Sequence, residues 1–171
     1  GVAISTVSLT DSLPAGGSAT VSVPSPSAWI AVAGNHALTA TVDATGLVNE
    51  SNEANNQAQV AITVAARQAD LAITAVSYLP VAPIESNAVT FGVVITNQGN
   101  GDLAAGQKVQ VSFSIDGGAA IATATLTNSL AAGGKTTVVA TNTWLAVAGT
   151  HTLTATVDSD GSVSESDEAN N

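Results

Sequence analysis

The same long segment occurs twice in this sequence, and that repeat limits what the chain can fold into. "WIAVAGNHALTATVDATGLVNESNEANN" at 29–56 matches "WLAVAGTHTLTATVDSDGSVSESDEANN" at 144–171, a shift of 115 positions. The match continues upstream, where 4–17 lies over 121–134 with a shift of 117 positions. A repeat of this kind marks one structural unit that is built more than once. We therefore expect two tandem domains of the same fold.

Both copies alternate apolar and polar residues, which is typical of β-strands that are buried on one face. The rows predicted to face a core are Val89, Phe91, Val93 and Ile95, then Val109, Val111, Phe113 and Ile115, and, in the first copy, Val60, Ile62 and Val64. Hydrophobic residues make up 45% of the chain but aromatic residues only 3%, so small side chains must fill the core. Short strands, glycine-rich turns and no helical window predict an all-β fold, an immunoglobulin-like antiparallel β-sandwich in two tandem repeats.

Neither predicted domain contains a full set of strands. The first domain is predicted at 1–66 and the second at 67–171. The predicted strands are 3–10, 18–24, 36–43 and 57–65 in the first copy, and 71–79, 88–97, 108–116, 119–127, 135–144 and 151–158 in the second. The first copy thus lacks three early strands, and the second lacks the strand that should follow Asn171. We expect a window of a longer tandem array; the alternative is an assembly in which neighbouring chains donate the missing strands.

The charge and the cysteine count exclude several classes of partner and site. The net charge is −10, and only Arg67, Lys108 and Lys135 are positive. A phosphate backbone would be repelled, so we expect no nucleic acid partner. The absence of cysteine excludes disulfides and thiolate metal sites. No apolar run approaches the roughly 20 residues of a membrane helix, so we expect no membrane insertion.

An acidic segment with the pattern D-x-x-G-x-V-x-E-x-x-E-x-N-N occurs in both copies, between two predicted strands. Calcium prefers about six to eight oxygen ligands from carboxylates, amide side chains and backbone carbonyls. The predicted ligands of a Ca²⁺ ion are Asp43, Glu50, Glu53 and Asn55 in the first copy and Asp158, Glu165, Glu168 and Asn170 in the second. The same residues also suit a purely structural turn, in which the carboxylates hold backbone N–H groups and the asparagines cap the chain.

The two histidines do not predict a catalytic site. His36 and His151 each precede an aspartate, Asp43 or Asp158, by seven residues. Seven residues along a strand place the two side chains on opposite faces and ~23 Å apart, at ~3.3 Å per residue. A catalytic pair needs contact at about 3 Å. We therefore expect each histidine to bond a neighbouring loop at a strand end, and we expect no enzymatic activity and no cofactor-binding site.

Beyond these patterns, the residues "ADLAITAVSYLP", "FGVVITNQGNGDLAAGQKVQVSFSIDGG", "SLAAGG" and "WLAVAGTHTLTATVDSDGSVSESDEANN" closely resemble the bacterial cell-adhesion-related domain, CARDB. The resemblance covers 69–171 nearly completely and 1–66 as the C-terminal portion of a domain. It implies an immunoglobulin-like sandwich that occurs in tandem on secreted or surface proteins of bacteria and archaea. It also implies a role in adhesion and no defined catalytic activity.

The predicted function is a non-catalytic structural or adhesive module of a secreted or cell-surface tandem-repeat protein. Two alternatives are a subunit of an extracellular filament assembled by strand donation, and an accessory binding module of a secreted hydrolase. The expected partners are neighbouring repeats or identical chains, together with a surface ligand that the sequence does not identify. The expected location is extracellular or at the cell surface.

Overall fold

The computed structural model describes residues 3–23 and 29–171. The chain divides into two compact units, Gly1–Ala66 and Arg67–Asn171, and each is described here by itself. The described secondary structure is β, apart from a single 3-10 turn at Glu53–Asn55. Within the described ranges no helix is long and apolar enough to cross a membrane. The all-β class predicted from the sequence is confirmed.

Nine strands are numbered in chain order. They are β1 Gly34–Thr41, β2 Gln57–Val64, β3 Leu71–Leu79, β4 Ala88–Asn97, β5 Val109–Ile115, β6 Ala120–Leu126, β7 Lys135–Val139, β8 Trp144–Leu145 and β9 Leu153–Thr156. In the second unit one sheet has the order β3-β4-β7, with β8 also paired to β4. The other sheet has the order β6-β5-β9. Every pairing between these strands is antiparallel.

The core of the second unit lies between the inward faces of these two sheets. The predicted rows are buried at Val89, Phe91, Val93 and Ile95 on β4 and at Val109, Val111 and Phe113 on β5. Ile115, the last residue of the row predicted on β5, is only partly buried against the core. Across the layer, the rings of Phe91 and Phe113 stack with their centroids 5.7 Å apart. Alternation thus places one face of each central strand in a shared apolar layer, which is the organisation of a β-sandwich. The predicted antiparallel immunoglobulin-like sandwich is confirmed.

Asn97 joins the end of β4 to the start of β3 and is fully buried. Its Oδ1 accepts hydrogen bonds from the backbone N–H groups of Asp70 and Gly99, at 3.0 and 3.1 Å. Its Nδ2 donates to the carbonyls of Gly101 and Leu130, at 2.9 and 3.0 Å. Buried polar groups are tolerated when they are paired in this way. One side chain therefore fixes the chain entering β3 against the loop that follows β4.

The glycine at position 99 permits that close approach. A Cβ atom at Gly99 would collide with the backbone of Gln68 and Ala69, so only glycine fits. The segment that leads into β3 is thereby held in place, and the same segment covers the acidic loop described below.

The first unit differs from prediction. Its only described strands form an antiparallel hairpin, in which β1 pairs with β2 from Gly34↔Val64 to Thr41↔Gln57. The strands predicted at 3–10 and 18–24 are absent: 3–23 contains no strand, and Pro24 lies outside the described residues. A strand needs a hydrogen-bonding partner as well as an alternating pattern, and the described part of this unit gives 3–23 none.

Val60 also contradicts its prediction. It was expected to face a core but is 56% exposed, because the described residues of the first unit provide no second sheet to cover the hairpin. Ile62 and Val64 on the same strand are half-buried.

The single strand predicted at 135–144 is divided into β7 and β8. Between them, the N–H of Ala140 donates to Phe91 O at 2.9 Å, and the N–H of Thr141 donates to Thr123 O at 2.9 Å. The chain therefore leaves its pairing with β4 after β7, contacts β6 in the other sheet, and pairs with β4 again at β8. A continuous ladder is interrupted at that crossing.

Candidate functional site

The acidic segment begins in both copies with the same aspartate-centred turn. Asp158 has a φ of 45°, and its two carboxylate oxygens accept hydrogen bonds from the N–H groups of Ser162 and Val163, both at 3.0 Å. Asp43 has the same φ, and its oxygens accept from Leu47 and Val48, both at 2.9 Å. Aspartate tolerates this left-handed conformation because its short side chain bonds the local backbone. The carboxylates therefore hold the turn that the sequence predicted.

A second element of the turn is formed by the two glutamates of each copy. The N–H of Glu165 donates to Oε1 of Glu168 at 2.9 Å, and the N–H of Glu50 donates to Oε1 of Glu53 at 3.0 Å. Each glutamate pair thus closes a local loop while one carboxylate oxygen of its second member is left for other contacts.

An additional capping position was missed by the sequence analysis. Oδ1 of Asn52 accepts from the N–H of Ala54 at 3.0 Å, and Oδ1 of Asp167 accepts from the N–H of Ala169 at 2.9 Å. The detectable signal was a short acceptor side chain, Asn or Asp, two residues before an alanine in both copies.

Each turn gathers three carboxylates. One oxygen each from Asp158, Glu165 and Glu168 lies within 4.8 Å of the others, and the same holds in the first copy. The first-copy residues are Asp43, Glu50 and Glu53. The structure therefore brings together three of the four predicted ligands in each copy.

The predicted asparagine ligands are placed differently. Nδ2 of Asn170 donates to Oδ1 of Asp70 at 2.7 Å, and Asn55 is exposed at the end of the 3-10 turn. The neighbouring asparagines approach the carboxylates instead. Nδ2 of Asn56 lies 2.7 Å from Oε2 of Glu50, and Nδ2 of Asn171 lies 3.5 Å from Oε2 of Glu168.

The two clusters differ in burial. Asp158 and Glu165 are only 4% and 7% exposed, whereas Asp43 is half-buried and Glu53 is exposed. The difference arises from the start of β3, which covers the second cluster. There the N–H of Leu71 donates to Oε1 of Glu165 at 3.1 Å, and the N–H of Ser166 donates to the carbonyl of Ala69 at 3.0 Å.

Glu165 is the most perturbed carboxyl group of the cluster. Burial, reinforced by the negative charges of Asp158 and Glu168, raises the pKa of Glu165 to about 7. Its Oε1 is bonded to Leu71, but its Oε2 is buried without a hydrogen-bond partner among the described residues. The side-chain oxygens of Asn170 and Asn171 are also buried without a hydrogen-bond partner among the described residues.

His151 bonds two loops from a position near the start of β9. Its Nδ1 lies 2.7 Å from Oδ2 of Asp116, and its Nε2 lies 3.1 Å from the carbonyl of Val147. The hydrogen bond to Asp116 raises the pKa of His151 and lowers the pKa of Asp116. The aspartate partner is thus Asp116, in the turn after β5, and the arrangement fits the expected loop contact at a strand end.

Each histidine also meets the tryptophan that precedes it by seven residues. The ring centroids of Trp144 and His151 are 5.1 Å apart, and those of Trp29 and His36 are 4.8 Å apart, with the rings edge to face in both pairs. Trp144 is partly buried against the core, whereas Trp29 is 39% exposed. The pairing is a structural feature that both copies share.

Comparison with known proteins gives one result. The model of the CARDB family matches residues 1–60 and 68–171, which together include most of the chain. Neither a curated protein nor a solved structure matches it.

Proposed function

The chain belongs to the CARDB family of non-enzymatic, adhesion-related immunoglobulin-like domains, and from this premise we propose that it is a structural or adhesive module of a secreted or cell-surface tandem-repeat protein. In this role the domains work mechanically. Each sandwich is a rigid spacer, and successive repeats project a binding surface away from the cell. No catalytic step is part of the proposal.

The observation that carries the proposal is that the same loop is built twice with the same hydrogen bonds from backbone N–H groups to carboxylates. In each copy an aspartate with a φ of 45° binds two N–H groups, and a glutamate pair closes the next turn. Duplication of one architectural loop supports an array of equivalent modules.

The surface of the described residues supports the same role. Two depressions on it are shallow and apolar and lie on strand faces, one beside Leu38 and Val60 and the other beside Tyr78 and Val139. Small-molecule sites are usually enclosed clefts with convergent polar groups. Broad, open surfaces suit contacts with another protein or with a neighbouring cell.

The experiment is surface detection on cells that make the protein. Antibodies against Arg67–Asn171 should label intact cells, and brief protease treatment of those cells should remove the signal. A cytosolic protein detected in the same cells, before and after permeabilisation, is the control. Labelling that requires permeabilisation would contradict the proposed location, and unchanged attachment of a deletion strain would contradict the adhesive role.

The exposed hairpin of the first unit favours a second candidate, a filament subunit assembled by strand donation. Among the described residues, β1 and β2 pair only with each other, and Leu38 and Val60 on them are 43% and 56% exposed. An uncovered apolar hairpin can accept strands from another chain. Light scattering of the purified chain distinguishes the candidates. A molar mass of the wild-type chain that increases with protein concentration, together with a lower mass for Val60→Lys at the same concentration, supports donation. A monomer at every concentration excludes it.

A further inference from the structure

The buried acidic cluster of the second unit is the feature of this molecule that most needs a binding partner. Three carboxylates place oxygens within 4.8 Å of one another, and two of these residues, Asp158 and Glu165, are buried. Like charges this close repel one another strongly once water is removed. Among the described residues the one ion pair joins His151 to Asp116, so no lysine or arginine neutralises the cluster.

An unpaired oxygen provides an independent observation at the same place. Oε2 of Glu165 is buried with no hydrogen-bond partner in the part of the chain that the structure describes. Its sister oxygen, Oε1, is fixed by the N–H of Leu71 at 3.1 Å, so the carboxylate cannot turn away without losing that bond. A buried polar atom without a partner is costly, and native structures rarely retain one unless a water, an ion or a ligand satisfies it.

We propose that Asp158, Glu165 and Glu168 form a binding site for a hard divalent cation, Ca²⁺, in the second repeat. Calcium takes its ligands from carboxylate and amide oxygens of a loop and tolerates irregular geometry, whereas Mg²⁺ demands a small octahedral site and keeps several waters. The site offers three carboxylates, and a further oxygen is at hand on Asn171. The Oδ1 of Asn171 is buried without a partner in the described structure, and its Nδ2 lies 3.5 Å from Oε2 of Glu168.

The first copy contains the same loop but satisfies it differently. Nδ2 of Asn56 donates to Oε2 of Glu50 at 2.7 Å and lies 3.4 Å from Oε2 of Glu53. An amide N–H group thus occupies Oε2 of Glu50, whereas the equivalent oxygen of the second copy, Oε2 of Glu165, accepts no hydrogen bond within the described residues. Glu53 is also exposed to water, so its charge is hydrated without an ion. We therefore assign the tight site to the second copy only.

The consequence of binding is mechanical. Glu165 is bonded to the first residue of β3, and the N–H of Ser166 is bonded to Ala69 just before that strand. A cation held by Glu165 would fasten the loop after β9 to the beginning of β3, and the bonded residues Leu71 and Glu165 are 94 positions apart in sequence. The cation would therefore act as a non-covalent clasp between the first and last strands of the second sandwich.

The test is calorimetric titration of the full chain with Ca²⁺ after removal of metal by EDTA. We expect one site per chain with a dissociation constant on the order of 10⁻⁴ M, the range of extracellular modules, and clearly weaker binding of Mg²⁺. Glu165→Gln should weaken Ca²⁺ binding at least about tenfold. Glu50→Gln, the equivalent change in the first copy, is the matched control and should leave the affinity unchanged.

A second variant guards against misfolding of Glu165→Gln. In Glu168→Gln the side-chain carbonyl can still accept the hydrogen bond from the N–H of Glu165, so the turn is kept while one charge is lost. We expect the same loss of affinity, and a melting temperature that no longer rises when Ca²⁺ is added. Absence of heat with the wild-type chain, or equal weakening by Glu50→Gln, would overturn the proposal and leave a protonated Glu165 carboxyl as the explanation of the unpaired oxygen.

Discussion

At the scale of single residues, the structure depends on side chains that form hydrogen bonds to backbone groups from distant parts of the sequence. Asn97 is the clearest case, since it satisfies two N–H groups with its oxygen and two carbonyls with its nitrogen. Both ends of its amide are needed, in one orientation. An aspartate of the same shape has no N–H to offer.

Asn97→Asp should therefore destabilise the second unit severely. It would place a carboxylate oxygen against the carbonyls of Gly101 and Leu130 in a buried site, and we expect a loss of at least about 3 kcal/mol in the free energy of unfolding. The measurement is guanidinium unfolding followed by fluorescence in a Trp29→Phe background, where Trp144 reports on the second unit. Asn142→Asp, an exposed change in the same unit, should be nearly neutral. A loss below about 1 kcal/mol for Asn97→Asp would contradict the role assigned to the amide.

His151 illustrates a pH-dependent contact of the same kind. Both of its ring nitrogens face acceptors, Asp116 and the carbonyl of Val147, so the doubly protonated ring satisfies both. Because the pKa of His151 is raised, its contribution to stability is complete below the ordinary value of about 6.5 and is lost as the pH rises through the folded-state value. Because the pKa of Asp116 is lowered, its contribution is present above about 3.9 and is lost as the pH falls through its folded-state value.

The pair should thus stabilise the second unit most between about pH 4 and pH 6.5. An NMR titration of the His151 ring protons checks this directly. We expect His151 to titrate above its ordinary value in the wild type, and Asp116→Asn to lower that midpoint. If Asp116→Asn leaves the midpoint of His151 where it was, the hydrogen bond to Asp116 is not the cause of the shift.

At the scale of strands and loops, the same alternating pattern has two outcomes. Val93 on β4 is 1% exposed, because β4 lies in a sheet that packs against β5 and its neighbours. Val60 on β2 has the same pattern around it but is 56% exposed, because the described residues of the first unit contribute only a hairpin. Burial depends on the partner layer as well as on the strand itself.

Alanine substitutions should measure that difference. Val93→Ala should cost about 2 kcal/mol, from the lost apolar contacts and the cavity left behind. Val60→Ala should change the stability by less than about 0.5 kcal/mol, because the side chain is already largely in water. Unfolding is followed at Trp144 for the first variant and, in a Trp144→Phe background, at Trp29 for the second. A cost for Val60→Ala similar to that for Val93→Ala would mean that another layer covers β2 in solution.

These contrasts explain how far the sequence could predict the structure. Apart from the division of 135–144 into β7 and β8, the strands of the second unit were predictable because strict alternation shows which residues share a face, and both layers are present to bury them. The segments 3–10 and 18–24 were not, because alternation does not reveal whether a partner strand is present. The acidic trio was predictable from its spacing in one short loop. The bonds of Asn97 to Leu130 and of Glu165 to Leu71 were not, since they join residues far apart in sequence.

At the scale of the whole molecule, the described parts of the two units differ in how much of the β-sandwich they form. The second unit has two sheets and a continuous buried core, whereas the described part of the first has a hairpin and an open segment, 3–23, whose apolar side chains are largely exposed. Local stability follows the number of buried contacts and protected backbone hydrogen bonds. The chain should therefore open in a graded way, and the gradient can be measured.

Hydrogen–deuterium exchange read by mass spectrometry should rank the segments. Amides of Ala88–Asn97 should exchange slowest, because β4 is buried and paired on both sides, to β3 and to β7. Gln57–Val64, paired on one side, should be intermediate, and 3–23, which has no strand, should exchange within seconds. Protection of 3–23 equal to that of β4 would contradict this ranking, because it would place the segment in a sheet. In that case repeating the measurement at higher dilution identifies the partner: protection lost on dilution comes from another copy of the chain, and protection retained comes from the chain itself.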